Sequence, residues 1–378
     1  MLLLSSYQAL AFEETNQSAV ILQYHHVSND TPFLTSISPK DFKSQMTYLK
    51  AHDFNVIPVT ELVRRLRAKQ AIDNKTVVIT FDDAYNSVYD IAWPVLKAHG
   101  FPFSVYVNTE SIDNQQKHSM SWAQISEMAE AGVEFANHSH THLHMIRQDD
   151  KETETQWLSR LESEIDRSEA LIQRHTKQSH KILAYPFGEY NPQIQALLLK
   201  KTYVGLAQHS GAVASNTSLQ SLPRFPFGGY YTDLEDFKLK VNALGLPVQS
   251  VQVGVSNVQE LAETLVKGDE AELYSIKSDW TFNYEEAKPF VLVELAITPS
   301  QYRRFACYAT GLGKVDTSLV YHENNPSSVY GVAVNIKNLL QVGRSRINCT
   351  LPSKWSGRFY WFSQPFIRKA VENAWYAE

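Results

Sequence analysis

The stretch "KTVVITFDDAYNSVYDIAWPVLKAHGFPFSVYV" (residues 75–107) contains in one piece the pattern that decides the fold. Its first apolar run, "KTVVITF", predicts a buried strand, and "SVYDIAWPVLKAHG" predicts a helix that ends at Gly100. A second apolar run, "FPFSVYV", predicts the next strand. A strand, a helix and a strand in this order are typical of a parallel β-sheet covered by helices.

The same alternation continues on both sides of this stretch. Upstream, "AVILQYHHV" (19–27) predicts a buried first strand, and a helix is expected over 38–54, where Ser38 is a suitable cap and Pro39 suits the first position. Downstream, helices and strands alternate as far as "YVGLAQ" (203–208). The sequence therefore predicts an α/β fold with a largely parallel sheet, either open or closed as a (β/α) barrel.

The texture of the sequence changes near residue 250. Strand-like runs such as "PFVLVELAI" (289–297) and "SVYGVAVNI" (328–336) replace the alternation, which is typical of a smaller all-β, sandwich-like domain. A chain of 378 residues also exceeds what one core usually serves. We therefore expect an N-terminal tail at 1–17, an α/β domain at 18–245 and an accessory β-rich domain at 250–378.

Charge and hydropathy exclude two classes of partner. The net charge is −5, the pI is near 6.2 and no long basic run occurs, so no nucleic-acid partner is expected. No run approaches the ~18 consecutive apolar residues of a membrane span. Aromatic residues are plentiful, and "WSGRFYWFSQPF" (355–366) and "SDWTFNY" (278–284) either face a β-core or offer glycan contacts from the C-terminal domain.

The N-terminus and the cysteines bear on the compartment. In "MLLLSSYQALAFEE" (1–14) an apolar stretch ends in Ala-Leu-Ala at 9–11, the small-residue pattern of a signal-peptide cleavage site. We therefore expect an exported protein, periplasmic or extracellular. Cys307 and Cys349 either pair in such an oxidising compartment or remain two buried free thiols.

Polar residues stand at the ends of three predicted strands. Asp82 and Asp83 follow "KTVVITF", His25 follows the first apolar run, and "NHSHTHLH" (137–144) follows the strand "VEF". Sites in parallel α/β folds gather at the carboxyl ends of the strands. We therefore expect these three clusters to meet at one edge of the sheet.

The histidine-rich cluster predicts a metal site. Histidine and carboxylate together bind zinc or a similar divalent cation. His138 and His142 are four residues apart, the spacing of one helical turn, so both rings can converge on one ion while His140 points elsewhere. A solvated histidine-rich loop is the alternative, but four histidines within seven residues favour a metal. Zinc is the first expectation, with nickel, cobalt or iron as alternatives.

These residues also carry a family resemblance. "TFDD" (80–83) followed by "HSHTH" (138–142) resembles the first two motifs of the polysaccharide deacetylases, the NodB-homology family or carbohydrate esterase family 4. The resemblance covers about residues 18–240. The segments "LQYHHVSND" (22–30) and "AYPFGEYN" (184–191) resemble most the bacterial poly-β-1,6-N-acetylglucosamine N-deacetylases. The resemblance implies a distorted (β/α) barrel.

The resemblance implies roles for the two aspartates and the histidines. Asp83, His138 and His142 would hold the metal, and Asp82 would be the general base. A cation beside Asp83 neutralises one charge, so the neighbouring carboxylate can stay ionised and accept a proton from water. A backbone N–H near Phe187 would help to hold the oxyanion.

The sequence departs from the family pattern in the third motif, usually Arg-x-Pro-Tyr. Ala184 and Phe187 stand at the arginine and tyrosine positions of "AYPFG", and Tyr185 of this segment is a candidate substrate-binding residue. Arg224, in "LPRFPF", is a candidate to orient Asp82 instead; the alternative is a surface arginine beside prolines.

A late histidine motif of the family is not evident, so the general acid needs another source. The branch that the chain resembles places this histidine in the Tyr-His segment, which corresponds to His25. We expect His25 on the opposite side of the metal from Asp82. The alternatives are a histidine that only hydrogen-bonds the next loop, and His209 in "LAQHSGA" as the acid.

The leading interpretation is a metal-dependent hydrolase that removes N-acetyl groups from an N-acetylglucosamine polysaccharide resembling poly-β-1,6-N-acetylglucosamine. A chitooligosaccharide or peptidoglycan deacetylase shares this chemistry and differs only in its cleft. An inactive glycan-binding protein is the alternative from another class, but a binder has no need of paired aspartates and a metal site.

Overall fold

A computed structural model describes residues 17–149, 151–246, 248, 250–254, 282–283, 290–295, 299–322, 325–335, 343–368 and 374–377. The expected signal segment and most of "SDWTFNY" lie outside these residues. The chain divides into two compact units, Asn16–Gly245 and one that includes Leu246–Glu378. Across the described residues, no helix is long and apolar enough to cross a membrane.

The first unit is built on a parallel sheet. The strands of this unit, not all of which belong to that sheet, are β1 (Ala19–Tyr24), β2 (His26–Val27), β3 (Ser36–Ile37), β4 (Asn55–Val56), β5 (Thr76–Phe81), β6 (Ser104–Val107), β7 (Glu134–Asn137), β8 (Ile182–Ala184), β9 (Val204–Leu206), β10 (Phe225–Pro226) and β11 (Leu244–Gly245). The sheet order is β10-β1-β5-β6-β7-β8-β9, with β4 paired to the start of β5. The neighbouring strands run parallel, so their carboxyl ends share one edge.

Helices connect these strands. They are α1 (Pro39–Ala51), α2 (Val59–Arg67), α3 (Trp93–His99), α4 (Thr109–Asp113), α5 (Trp122–Glu130), α6 (Glu154–Thr176), α7 (Pro192–Lys200) and α8 (Leu234–Val241). The predicted cap of α1 is confirmed, because the Ser38 side chain accepts from the Asp41 amide and Pro39 takes the first position. Gly100 ends α3 in a left-handed conformation at φ 69°, as glycine permits. The predicted α/β architecture is therefore confirmed.

The helix before Gly100 differs from the prediction in its first half. Val88–Ala92 forms a π-helical turn, and regular α-helix begins only at Trp93. Pro94 has no backbone N–H and cannot donate to the carbonyl four residues earlier. The wider turn therefore replaces the regular helix at the position where proline would break it.

The core lies on both faces of the sheet. All residues of β1 and β5 are buried, as expected for parallel strands with helices on each side. Two polar side chains lie close to the carboxyl ends of these strands, Gln23 in β1 and Thr80 in β5, and both are buried. Buried polar groups need partners, so they direct attention to the carboxyl edge of the sheet.

The second unit is antiparallel. The strands described in this unit are β12 (Ser250–Gly254), β13 (Phe282–Asn283), β14 (Phe290–Glu294), β15 (Ala306–Ala309), β16 (Gly313–His322), β17 (Asn325–Asn335), β18 (Gly343–Pro352), β19 (Phe359–Arg368) and β20 (Ala374–Ala377), and the described residues also include the short helix α9 (Pro299–Tyr302). Their order is β12-β14-β17-β16-β15-β18-β19-β20-β13. A C-terminal β-rich domain is therefore confirmed.

Cys307 and Cys349 form a disulfide in this second unit. They lie directly opposite each other on β15 and β18, with their Cα atoms 4.1 Å apart. The alternative of two free thiols is therefore wrong.

Candidate active site

Three side chains meet at the carboxyl edge of the parallel sheet. Oδ1 of Asp83 lies 3.5 Å from Nε2 of His138 and 3.4 Å from Nε2 of His142. One ligand atom from each of the three residues lies within 4.8 Å of the others, the arrangement needed to hold one metal ion. The structure thus brings together the Asp-His-His set that the sequence predicts.

The chemistry of these three atoms fits a divalent cation. Nδ1 of His138 is 2.7 Å from the Ala184 carbonyl, which can only accept, so Nδ1 carries a proton and Nε2 is the ring atom that faces Asp83. Oδ1 of Asp83 is buried and has no hydrogen-bond partner among the described residues. Burial and the neighbouring His138 lower the pKa of His142 to about 4, so this ring is neutral at pH 7. A carboxylate oxygen without a hydrogen-bond partner and two ring nitrogens that converge in this way form a ligand set that suits a divalent cation.

The loop that carries the two histidines is not helical. Ser139 and His142 have left-handed φ angles of 61° and 54°. The Ser139 hydroxyl accepts from the His142 amide at 3.0 Å, which holds the loop closed. The predicted convergence is therefore found, but a tight loop produces it and not a turn of helix. His140 does point elsewhere, with Nδ1 2.8 Å from the Thr109 hydroxyl.

Helix α6 fixes the same loop from outside. One oxygen of Glu164 accepts from the amides of His140 and Thr141, at 3.1 and 2.8 Å, and from the Thr141 hydroxyl at 3.0 Å. These contacts bind the chain between the two histidine ligands. Sequence analysis missed Glu164, because nothing local distinguishes it from the other acidic residues of an amphipathic helix.

Strain is concentrated at this edge of the sheet. Besides the two loop residues, Asp83, Ala84 and Phe187 have φ angles of 69°, 51° and 58°. Residues with a Cβ adopt this region at a cost of ~1–3 kcal/mol each, and they cluster at functional sites. At Asp83 the left-handed conformation turns the chain directly after Asp82, which separates the surroundings of the two carboxylates.

Asp82 is fully buried and bound by a buried arginine. Arg224 donates to its two oxygens at 2.7 and 2.8 Å, and the Gln23 amide donates to Oδ2 at 2.8 Å. Burial alone would raise the pKa of Asp82, but the Arg224 guanidinium overrides it and holds this pKa well below its usual range. Arg224 is itself 0% exposed, so the alternative of a surface arginine is wrong.

His25 lies beside Asp82. Its Nε2 is 4.0 Å from Oδ2 of Asp82, so the expectation that the two flank the metal from opposite sides is wrong. The reason is strand register: β1 and β5 are directly paired, with Tyr24 opposite Phe81, so the residues that follow them are neighbours. The other candidate acid, His209, has its Nδ1 3.3 Å from the Tyr190 hydroxyl.

The segment that replaces the third family motif forms a wall of the site. The Phe187 ring packs against His142 and His144, with centroids 4.5 and 3.9 Å apart. Tyr185 is fully buried, and its hydroxyl donates to the Gln220 carbonyl at 2.6 Å. Its ring therefore serves packing, and a role of Tyr185 in substrate binding stays a prediction.

A second aromatic pair stands on the other side of Asp83. His26 stacks on Tyr85 at a centroid distance of 3.5 Å. Burial lowers the pKa of His26 to about 4, with His25 as a further cause, while burial and the nearby Asp83 carboxylate raise the pKa of Tyr85. Sequence analysis missed Tyr85 and Gln23, although a polar residue inside the apolar run of β1 was a signal for the latter.

The chain is similar to known deacetylases. A family model described as polysaccharide deacetylase matches residues 69–205, which include both aspartates and both histidine ligands. The poly-β-1,6-N-acetyl-D-glucosamine N-deacetylase of Staphylococcus epidermidis is 29% identical over 230 residues, which cover 55% of this chain and 78% of that protein.

Solved structures share the fold of the first unit. The deacetylase PplD of Streptococcus pyogenes, in complex with acetate, aligns with a TM-score of 0.54 at 22% identity, over 59% of this chain and 98% of that one. IcaB from Ammonifex degensii aligns with a TM-score of 0.50 at 22% identity, over 58% and 96%. The family match at residues 69–205 indicates that the first unit contains a polysaccharide deacetylase domain, and the solved structures share its fold.

Proposed function

We propose that this chain hydrolyses the N-acetyl groups of an N-acetylglucosamine polysaccharide with the help of a divalent metal ion, zinc first. The observation that carries the proposal is the difference in surroundings between the neighbouring residues Asp82 and Asp83. Asp82 is held ionised by Arg224, which binds both of its oxygens, whereas Asp83 turns an oxygen without a hydrogen-bond partner to both histidines. A glycan binder has no use for this division of roles.

Asp83, His138 and His142 would hold the ion, which when bound polarises the acetamide carbonyl and activates a water. Asp82 accepts the proton of the attacking water, since its depressed pKa keeps it ionised at neutral pH. Arg224 and Gln23 fix the position of this carboxylate, so the base does not have to be ordered during the reaction.

His25 is our candidate for the general acid. The new C–O bond forms as the C–N bond breaks, and the leaving amine takes a proton to give acetate and a free amino sugar. An imidazole at 4.0 Å from the base can pass that proton on, and histidine titrates near neutral pH in its unperturbed state. The backbone amide near Phe187 would hold the developing oxyanion.

The polymer and the compartment follow from different observations. The name of the Staphylococcus epidermidis relative supports a β-1,6-linked substrate. The Cys307–Cys349 disulfide supports an oxidising compartment, periplasmic or extracellular, because such bonds are rare in the cytosol. Glycan contact through the second unit is a further part of the proposal.

Acetate release from β-1,6- and β-1,4-linked N-acetylglucosamine oligomers tests the function. The metal-loaded protein should release acetate faster from the β-1,6 series, should stop after treatment with a chelator, and should recover when zinc is added. Faster release from the β-1,4 series would assign a chitooligosaccharide-type substrate. A loaded protein that binds oligomers and releases no acetate from either series would be a glycan binder, and the proposal would be wrong.

A further inference from the structure

An exposed aromatic surface lies on two loops of the deacetylase domain. Phe33, Leu34, Tyr230 and Tyr231 are 57%, 72%, 81% and 55% exposed, and they are most of the large apolar side chains exposed in the described part of the chain. The Phe33 and Tyr230 rings meet edge to face with centroids 4.9 Å apart. We call these four residues the aromatic platform. A contiguous exposed apolar patch of this kind marks a binding surface.

The two loops of the platform pack closely, backbone against backbone. A Cβ on Gly228 would lie 2.8 Å from the Leu34 carbonyl oxygen, and one on Gly229 would lie 3.2 Å from the Leu34 Cα. Only glycine allows the two loops to approach this closely. The backbone therefore presents Phe33 and Tyr230 as one surface.

The platform is connected to the active site through the strand ends. Phe33 and Leu34 lie in the loop between β2 and β3, and Tyr230 and Tyr231 follow β10, which pairs with β1. The Phe227 amide donates to the carbonyl of Gln23, whose side chain holds Asp82. Tyr230 is three residues beyond Phe227, so the two Cα atoms are within roughly 11 Å of each other. The platform therefore stands on the same part of the chain that holds the Asp82 carboxylate.

The charges around the platform favour a deacetylated glycan over an anionic bilayer. The segments 28–35 and 228–240 contain four carboxylates, Asp30, Asp233, Glu235 and Asp236, and two lysines, Lys238 and Lys240, of which Lys238 is paired with Glu235. Lys240 lies over the Tyr231 ring at 4.6 Å, but it is paired with Asp236. Amino sugars left behind by deacetylation are cationic, so carboxylates attract them. Anionic lipid instead binds to basic residues.

We propose that the aromatic platform is a distal subsite that stacks the sugar rings of a partly deacetylated N-acetylglucosamine polymer. This inference rests on the proposed function and adds to it that long chains are preferred over short ones. Aromatic side chains offer an apolar face to the C–H face of a sugar while their edges stay wet.

The test compares long and short oligomers on the full-length chain. Asp82→Asn is the background for calorimetry, so that binding is measured without turnover, and the ligands are a partly deacetylated β-1,6-linked N-acetylglucosamine hexamer and the corresponding dimer. Replacing Phe33 and Tyr230 with serine should weaken hexamer binding about tenfold, the equivalent of ~1.4 kcal/mol, and leave the dimer unchanged. Replacing both with tryptophan should restore hexamer binding. Leu199→Ser, which removes an exposed apolar residue of α7, is the matched control.

The outcomes separate this inference from the proposed function. Unchanged hexamer binding in the serine variant would overturn the platform. So would loss of binding to phosphatidylglycerol vesicles with unchanged hexamer binding, since the surface would then contact a bilayer. If the unmutated protein releases no acetate, the proposed function fails, and the binding curves alone still decide the platform: a hexamer bound by the background protein and lost in the serine variant supports it, and a hexamer that never binds overturns it.

Discussion

At the scale of single residues, two neighbouring aspartates have different surroundings. Asp82 continues the line of β5 into the interior, where Arg224 and Gln23 bind its oxygens. Asp83 adopts φ 69° and turns one oxygen to His138 and His142. In the proposed mechanism, this change of direction within one peptide unit leaves Asp82 to accept a proton and Asp83 to hold the cation.

Exchanging each aspartate for asparagine separates these roles. Asp82→Asn should keep the metal, because its three ligands remain, and should lose ~10²–10⁴-fold in turnover. Asp83→Asn should lose metal affinity as well. Metal content after dialysis measures the loss of the ion, and acetate release measures the loss of turnover. If Asp82→Asn releases the metal and Asp83→Asn retains it, the two roles are exchanged.

Arg224 is expected to act through Asp82. Burial raises the pKa of Asp82 and Arg224 opposes this, so Arg224→Gln should raise that pKa. The base is lost as pH falls through the pKa of the folded protein, so the acidic limb of the activity profile should move to higher pH. Arg224→Lys keeps a positive charge and should shift the limb less.

Stability must be measured beside this pH profile. Breaking one side of a buried ion pair costs ~3–5 kcal/mol, so thermal unfolding distinguishes a shifted profile from an unfolded protein. If Arg224→Gln is folded and the acidic limb of its activity profile lies at the same pH as in the unmutated protein, the proposed role of Arg224 is wrong.

His25 can be tested by changing the leaving group. An amine needs a proton to leave, whereas a nitrophenolate leaves without one. His25→Ala should therefore lose most acetate release from an N-acetylglucosamine oligomer, keep its metal and retain most activity on nitrophenyl acetate. His209→Ala should be near the original in both assays. Equal losses of His25→Ala on both substrates would show that His25 is not the general acid.

At the scale of elements, the metal ligands depend on how α6 meets the loop after β7. Glu164 binds two amides and a hydroxyl between His138 and His142. The loop alone contains two left-handed residues, which cost free energy unless the surroundings hold them. A helix that touches no ligand side chain thus determines the ligand geometry.

Removing the Glu164 carboxylate should therefore weaken metal binding. We expect Glu164→Ala to lower zinc affinity by ~10–100-fold, because loss of the outer hydrogen bonds that position metal ligands commonly has an effect of this size. Glu164→Gln retains a carbonyl acceptor and should lose less. Competition with a chromogenic chelator measures the affinity, independently of turnover.

Glu162→Gln is the matched control on the same helix, since Glu162 pairs with Lys201 and not with the loop. It should bind zinc as the original does. If Glu164→Ala binds zinc as tightly as the control does, the loop keeps its conformation without the contacts from Glu164.

At the scale of the whole molecule, every candidate site residue lies in Asn16–Gly245 and the disulfide lies in the other unit. The bond closes a sequence separation of 42 residues. Its loss should lower the free energy of unfolding of the second unit by about 2–4 kcal/mol, because the unfolded chain gains freedom. Acetate release should remain.

Cys307→Ala combined with Cys349→Ala tests this expectation. Denaturant unfolding of the double variant should match that of the unmutated protein under reductant, and reductant should have no further effect on the variant. Loss of acetate release in a variant whose first unit is folded would contradict the independence of the site from this bond.

The amino-acid sequence by itself determined what depends on neighbours along the chain. Alternating apolar runs and helix signals predicted the strands and helices of the first unit, and Ser38 and Gly100 end their helices as expected. The aspartate pair and the histidine-rich cluster were predicted to meet because parallel strands end at one edge of the sheet, and the family resemblance selected Asp83, His138 and His142 among them as the metal ligands. These features depend on periodicity, capping and residue chemistry, which are local.

Only the tertiary structure decided what depends on strand order and register. Arg224 is 142 residues from Asp82 along the chain, and their contact exists because β10 joins the sheet next to β1 and β1 next to β5. The same pairing puts His25 beside Asp82, where the sequence predicted it on the opposite side of the metal. Pairing between distant strands is selected by the packing of the whole core, which no local pattern records.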